Sequence, residues 1–260
     1  MRNRWAVAAV TLVVFGAVLL FGELPKSLFP PLADLGHSLG PYGYSMILNA
    51  LGIAVPILAV ALQRRSFMDA LRDLGFLADP IRPVIFGLVA TSPAWIGFLI
   101  TAPISHGFTA REFILLCLLF PLSEEVTFRA FAFGQLNGPA GWSFWPAALV
   151  PAVVFGACHL YQSSDPAELA GIFAITAFGS VVFSFFFARF GRNLWAPFVL
   201  HALLNTWWMV FTTNQNALGG LADNVFRFGS IGLALGLAYA ASRVRGLGWL
   251  IPASGDVAKG

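Results

Sequence analysis

The chain has 260 residues, 58% of them hydrophobic and only 10% charged, with a net charge of +3. A soluble domain carries about 25% charged residues, so the composition excludes a water-soluble globular protein, and nothing in the small net charge suggests a nucleic-acid partner. The length admits roughly eight spans of about 20 residues, which predicts an all-α polytopic transmembrane helical bundle forming one membrane-embedded domain over 1–260.

Taken in chain order, Arg2 and Arg4 precede a first apolar run at 6–22. It resembles a signal peptide, but Phe21-Gly22-Glu23-Leu24-Pro25 stands where a small-x-small cleavage site is needed, so a retained first span is expected. Seven more apolar runs follow at 42–62, 83–104, 112–133, 144–161, 169–190, 194–212 and 225–241. Turn residues such as Pro30-Pro31, Pro80, Asn137-Gly138-Pro139, Asp165-Pro166 and Gly219-Gly220 separate most of them. Between the second and third runs, residues 63–82 mix four arginines with Asp69, Asp73 and Asp79, a composition suited to a solvated interfacial helix. Cys117 and Cys158 both sit in apolar runs and read as buried thiols, with no disulfide or cysteine-based metal site indicated.

Orientation follows from the basic residues. If Arg2 and Arg4 are cytoplasmic, so are Arg64, Arg65, Arg72, Arg82, Arg189, Arg192, Arg243, Arg245 and Lys259, against Lys26, Arg111 and Arg227 on the other side. This asymmetry predicts cytoplasmic N and C termini. Compact loops fit a bacterial inner membrane.

Three charges interrupt the fourth run, in Ser123-Glu124-Glu125-Val126-Thr127-Phe128-Arg129. Ionisable residues are costly in lipid, so such a cluster is a functional-site candidate by default. Glu125 and Arg129, at i and i+4 with the acid first, are expected to pair. Glu124 lies about 100° around the helix and stays available. Phe155 and His159 share a face of the fifth run, and His201 and Asn205 share a face of the seventh. Each pair alone could be interhelical packing. Two carboxylates, two imidazoles and an amide on three spans exceed what packing needs. His37 and His106 fall in loops and are assigned no role.

These residues form three ordered motifs, E-E-x-x-x-R at Glu124, Glu125 and Arg129, F-x-x-x-H at Phe155 and His159, and H-x-x-x-N at His201 and Asn205. In them the chain resembles the CAAX-processing and bacteriocin-processing (CPBP, or Abi) family of intramembrane proteases, which includes the Ras-converting CAAX endopeptidase. Residues 191–197 also look like that family's approach to its third motif, and the similarity covers about 112–208. The resemblance implies a glutamate-dependent intramembrane endopeptidase acting on a peptide or protein substrate, membrane-anchored or lipidated in some members, within membrane lipid.

Peptide hydrolysis needs an activated water, an acid for the leaving amine and donors for the oxyanion. An unpaired, desolvated Glu124 is a better base than a carboxylate in bulk water. His159 could share the water or protonate the leaving nitrogen, and His201 with Asn205 could donate to the oxyanion. Glu125 and Arg129 read as structural support, and Ser123 stays open as a nucleophile. No cofactor is expected. The alternatives are a zinc site on Glu124, His159 and His201, although no H-E-x-x-H helix is present, and a transporter or proton relay. Counting depth along the helices, with the fifth helix proper starting at Pro151, predicts a cavity in the cytoplasmic half of the bilayer with residues 138–146 at its rim.

Overall fold

The computed structural model describes residues 3–24, 26–211, 216–244 and 251. Arg2, Arg245 and Lys259 of the charge tally, and the last residue of the seventh run, lie outside them. The described residues contain no strand; an isolated bridge joins Ile104 to Phe211. A helix stands at each of the eight apolar runs: α1 Arg4–Glu23, α3 Gly43–Arg64, the pair α5 Ile81–Ala90 and α6 Ser92–Thr101, α7 over residues 110–137, α8 Phe144–Ala157, α9 Pro166–Arg189, α10 Trp195–Val210 and α11 Leu221–Arg243. Two short helices, α2 Pro30–Ser38 and α4 Phe67–Asp73, lie in the connections. Five helices among the described residues are long and apolar enough to cross a membrane. The α5–α6 pair makes a sixth, bent by 44° where Pro93 opens the second piece.

The remaining two fail that test for identifiable reasons. α10 has 16 residues, and α7 carries the charged cluster at its centre. α7 starts on a capping box, Thr109 with Glu112, and changes pitch twice, becoming π-helical at Ile114–Leu119 and Glu125–Phe133. The first change precedes Pro121, whose ring clashes with the carbonyl four residues back and whose missing N–H breaks the regular ladder.

α8 corrects one expectation. It is helical from Phe144, with Pro151 buried inside it rather than opening it. Pro146 sits in the first turn, where a backbone N–H has no helical partner anyway. Pro151 forfeits one interior bond, which the surrounding bundle tolerates.

The helices alternate between two faces. On one, the α4 face, Gly75, Asp79 and Phe76 meet the α9–α10 turn through Leu194 N to Gly75 O (3.4 Å), Asn193 Nδ2 to Asp79 O (2.8 Å) and Trp195 Nε1 to Phe76 O (3.1 Å). Gly75 has φ +82°, and a Cβ there would lie 2.2 Å from the Arg192 carbonyl, so only glycine allows the approach. α4 itself is capped by Ser66, carries the Asp69–Arg72 ion pair on its exposed side and buries Ala70. On the opposite, α2 face, Arg111 donates to the Leu39 carbonyl, Ser105 N to Val210 O (2.8 Å) and Ala217 N to Gln162 Oε1 (2.7 Å). Among the described residues the α4 face carries Arg4, Arg64, Arg65, Arg72, Arg82, Arg189, Arg192 and Arg243, and the α2 face Lys26, Arg111 and Arg227.

Arg192 closes the α4 face. Its Nη1 donates to Gly134 O (2.7 Å) and its Nη2 to Asp73 O (3.2 Å), tying α7, α4 and the α9–α10 turn together. Burial pushes its guanidinium below the ordinary arginine value, opposed by the charge of Asp73. Arg192→Ala removes both charged bonds, leaving Gly134 O only the Gly138 N–H, a loss of about 2–4 kcal/mol. A detergent melting temperature several degrees below wild type is expected; an unchanged melt would show that the tie carries no stability.

Candidate active site

Glu125 and Arg129 are both fully buried on α7, and Arg129 Nη1 donates to Glu125 Oε1 at 2.8 Å. The guanidinium is also enclosed by aromatic faces, 4.3 Å from the Phe155 ring centre, 5.2 Å from Phe183 and 5.8 Å from Phe128. A buried ion pair survives only with such compensation.

His201 enters from α10 one and a half turns past its start, and its Nδ1 lies 2.7 Å from Glu125 Oε1. A carboxylate held by an arginine only accepts, so Nδ1 carries a proton and donates it. The other ring nitrogen, Nε2, stands 3.8 Å from Glu124 Oε2. The paired glutamate thus orients the imidazole, and the imidazole faces the unpaired glutamate. Glu124 keeps about a third of its side chain exposed, where Glu125 keeps none.

His159 lies just beyond the last residue of α8. The carbonyl of Phe155 would ordinarily take the backbone N–H of residue 159, but that N–H turns to Gly156 O (3.2 Å). The His159 ring supplies the donor instead, Nδ1 to Phe155 O at 2.7 Å. This fixes the tautomer and leaves Nε2 as the basic nitrogen. Phe155 therefore accepts from His159 through its backbone, stacks on the His159 ring at 4.5 Å and caps Arg129 with its own ring.

Asn205 is placed by the same logic. In the first π-helical stretch Phe120 N bonds Leu115 O, so the carbonyl of Leu116 would look to residue 121, which is proline and has no N–H. Asn205 Nδ2 donates to Leu116 O at 3.0 Å. One amide hydrogen is committed to this bond and one is left.

Glu124, His159, His201 and Asn205 line one cavity of about 850 Å³, together with Cys117, Phe155 and Phe183. The cavity extends through Trp208 and Arg227 to Ser105, Gln162, Phe211 and Asn216. All four of these last residues belong to the α2 face. This overturns the expected rim: none of residues 138–146 lines the cavity, and between the site and the α4 face lie the fully buried Phe131, Phe133, Phe187, Leu136 and Leu194.

Ser123 is not brought into the cavity. It is 5% exposed and packs toward α3, where a Cβ on Gly52 would come within 2.5 Å of its hydroxyl. Neither His37 nor His106 lines the cavity. Neither Cys117 nor Cys158 is in a disulfide. Among the described residues no three His, Cys, Asp or Glu side chains are grouped so as to hold a metal ion. Residues that sequence reasoning passed over are Phe183, which lies in an unmarked phenylalanine-rich run and meets both Arg129 and His201 (5.4 Å), and Arg227. Counted beforehand only as a loop charge, Arg227 lies over the Trp208 ring at 4.5 Å inside the cavity wall.

A family model described as type II CAAX prenyl endopeptidase Rce1-like matches residues 106–207, the segment that holds all three motifs. No curated protein and no solved structure matches the chain.

Proposed function

We propose, from the premise that this chain carries the Rce1-like CAAX endopeptidase segment and is a membrane protease acting on peptide bonds, that hydrolysis runs on a water activated by Glu124. The observation that carries this reading is the gathering of Glu124, His159, His201 and Asn205, from three helices, on one cavity. Water held on the cavity side of Glu124, beside His201, loses a proton to that carboxylate as its oxygen attacks the scissile carbonyl. The oxyanion is met by the free amide hydrogen of Asn205, while His201, its Nδ1–H held by Glu125, orients the water through Nε2. The proton taken by Glu124 passes to the leaving nitrogen, directly or through His159 Nε2, as the C–N bond breaks. Glu125, Arg129 and Phe155 hold the two imidazoles in place and touch no reacting atom. The substrate is a peptide segment at or in the membrane, lipidated or not.

The same reading places the chain in a bacterial plasma membrane with eight crossings, the α5–α6 pair counting as one, and with both termini on the cytoplasmic side. It is supported by the alternation of the eight helical units between two faces and by the basic residues of the α4 face. No step is routed through a metal, since Glu124 supplies the base and Asn205 the oxyanion donor. Detergent-purified protein incubated with a peptide library is expected to generate internal cleavage products by mass spectrometry, with and without a farnesyl group, and prolonged chelation is expected to leave the rate unchanged. Absence of cleavage would refute the protease reading. A stoichiometric metal whose removal stops turnover and whose return restores it would recast Glu124, His159 and His201 as ligands.

A further inference from the structure

We infer that the active-site cavity opens to the non-cytoplasmic side of the membrane, so that the substrate is a translocated or secreted polypeptide segment and not a tail presented from the cytoplasm. This deepens the protease reading and rests on it for the word substrate, but the direction of opening stands on two observations of its own.

The first is where the cavity ends. Beyond the four polar residues its walls run to Ser105 in the α6–α7 connection, Gln162 after α8, Phe211 at the end of α10 and Asn216 before α11. Every one of these connections is on the α2 face, joined to its neighbours by Ser105 N to Val210 O and Ala217 N to Gln162 Oε1. Toward the α4 face the way is shut. Phe133 packs edge-on against Phe187 at 6.1 Å, Leu136 and Leu194 are fully buried, and Arg192 bonds the Gly134 carbonyl across the gap. A peptide can reach Glu124 from the α2 face without moving the core, and from the α4 face only by dismantling it.

The second is charge. Among the described residues the α4 face has eight arginines and the α2 face three basic residues, one of which, Arg227, is inside the cavity wall. Lys and Arg in short loops stay cytoplasmic. The plugged end is therefore the cytoplasmic one and the open end faces away. The two observations share only Arg192 and Arg227, and without these the charge pattern is still seven arginines against two basic residues.

The test is sidedness. On a background with Cys117→Ala and Cys158→Ala, Ser164→Cys (α2 face, exposed) and Ser143→Cys (end of the α7–α8 turn, exposed) are treated with an impermeant maleimide in intact cells and in inside-out vesicles. Position 164 is expected to label at least tenfold more in intact cells, and position 143 at least tenfold more in inside-out vesicles; the reverse pattern overturns the inference. If the cysteine-free background does not accumulate, alkaline phosphatase fusions after Gly40 and after Gly141 give the same reading, active after Gly40 and inactive after Gly141. A fluorogenic peptide cut by the purified protein should then be cut when added to intact spheroplasts and not to sealed inside-out vesicles, and cleavage in the vesicles alone would equally overturn it. If labelling follows expectation and the purified protein cuts no peptide, the protease reading fails while the direction of opening stands.

Discussion

Glu124→Ala is expected to lower the rate of peptide cleavage by about 100- to 10,000-fold, the contribution of a positioned general base, with the melting temperature in detergent unchanged. The asymmetry comes from the surroundings of the two glutamates. Glu124 is part-exposed on the cavity and its closest ionic contact is the 3.8 Å approach to His201. Removing it therefore strands no buried partner, since Arg129 and His201 Nδ1 both remain bonded to Glu125. Glu124→Gln, which keeps the shape and loses the base, should be as inactive as the alanine variant. Turnover within tenfold of wild type in either would remove Glu124 from the mechanism.

Arg129→Ala is expected to be the most destabilising single change in the site, by about 3–5 kcal/mol, because it leaves Glu125 as an uncompensated charge with no exposure to water. It also empties the space between Phe155 and Phe183 and frees the carboxylate that orients His201. Both stability and activity should fall. Arg129→Lys is not expected to restore them, since an ammonium neither stacks on the flanking rings as the planar guanidinium does nor offers its fork of donors. Changing both partners, Glu125→Gln with Arg129→Met, separates the two roles. Much of the stability should return because no lone charge is left, while activity should not, because His201 loses its anionic partner. A single Arg129→Ala variant that melts with wild type would show that the buried pair is not what holds this helix in place.

Much of this site is legible in residue spacing. The four-residue intervals of Glu125 to Arg129, Phe155 to His159 and His201 to Asn205 each place two side chains on one helical face, and each joins the same cluster. What the intervals did not disclose is how their members are tied. The first amide hydrogen of Asn205 is claimed by a carbonyl that a proline five residues further along another helix leaves unserved, a link visible only once the π-helical pitch of α7 is known. His159 is held by the frayed end of its own helix rather than by a facing one.

The expected rim at residues 138–146 fails for a physical reason. Residue counts along an axis give depth from an assumed surface, and Pro151 was read as a helix start. Its ring is accommodated inside α8, which carries His159 to the far end of that helix from the 138–143 turn. Where a cavity meets the outside is decided by which ends of the bundle pack tightly, and that depends on Phe133, Phe187 and Leu194 meeting across helices distant in sequence. The two-face charge pattern, in contrast, required no packing to be seen.

α10 has a further bearing on the chemistry. Its 16 residues span roughly 24 Å, shorter than the roughly 30 Å of a bilayer's hydrocarbon core. A short hydrophobic element is matched by local thinning of the lipid around it. In the eight-crossing arrangement proposed above, the helix that carries His201 and Asn205 would draw the headgroup layers toward each other beside the cavity. Hydrolysis consumes a water molecule at a depth where hydrocarbon would otherwise exclude it, and the deformed leaflet shortens the distance that water must travel.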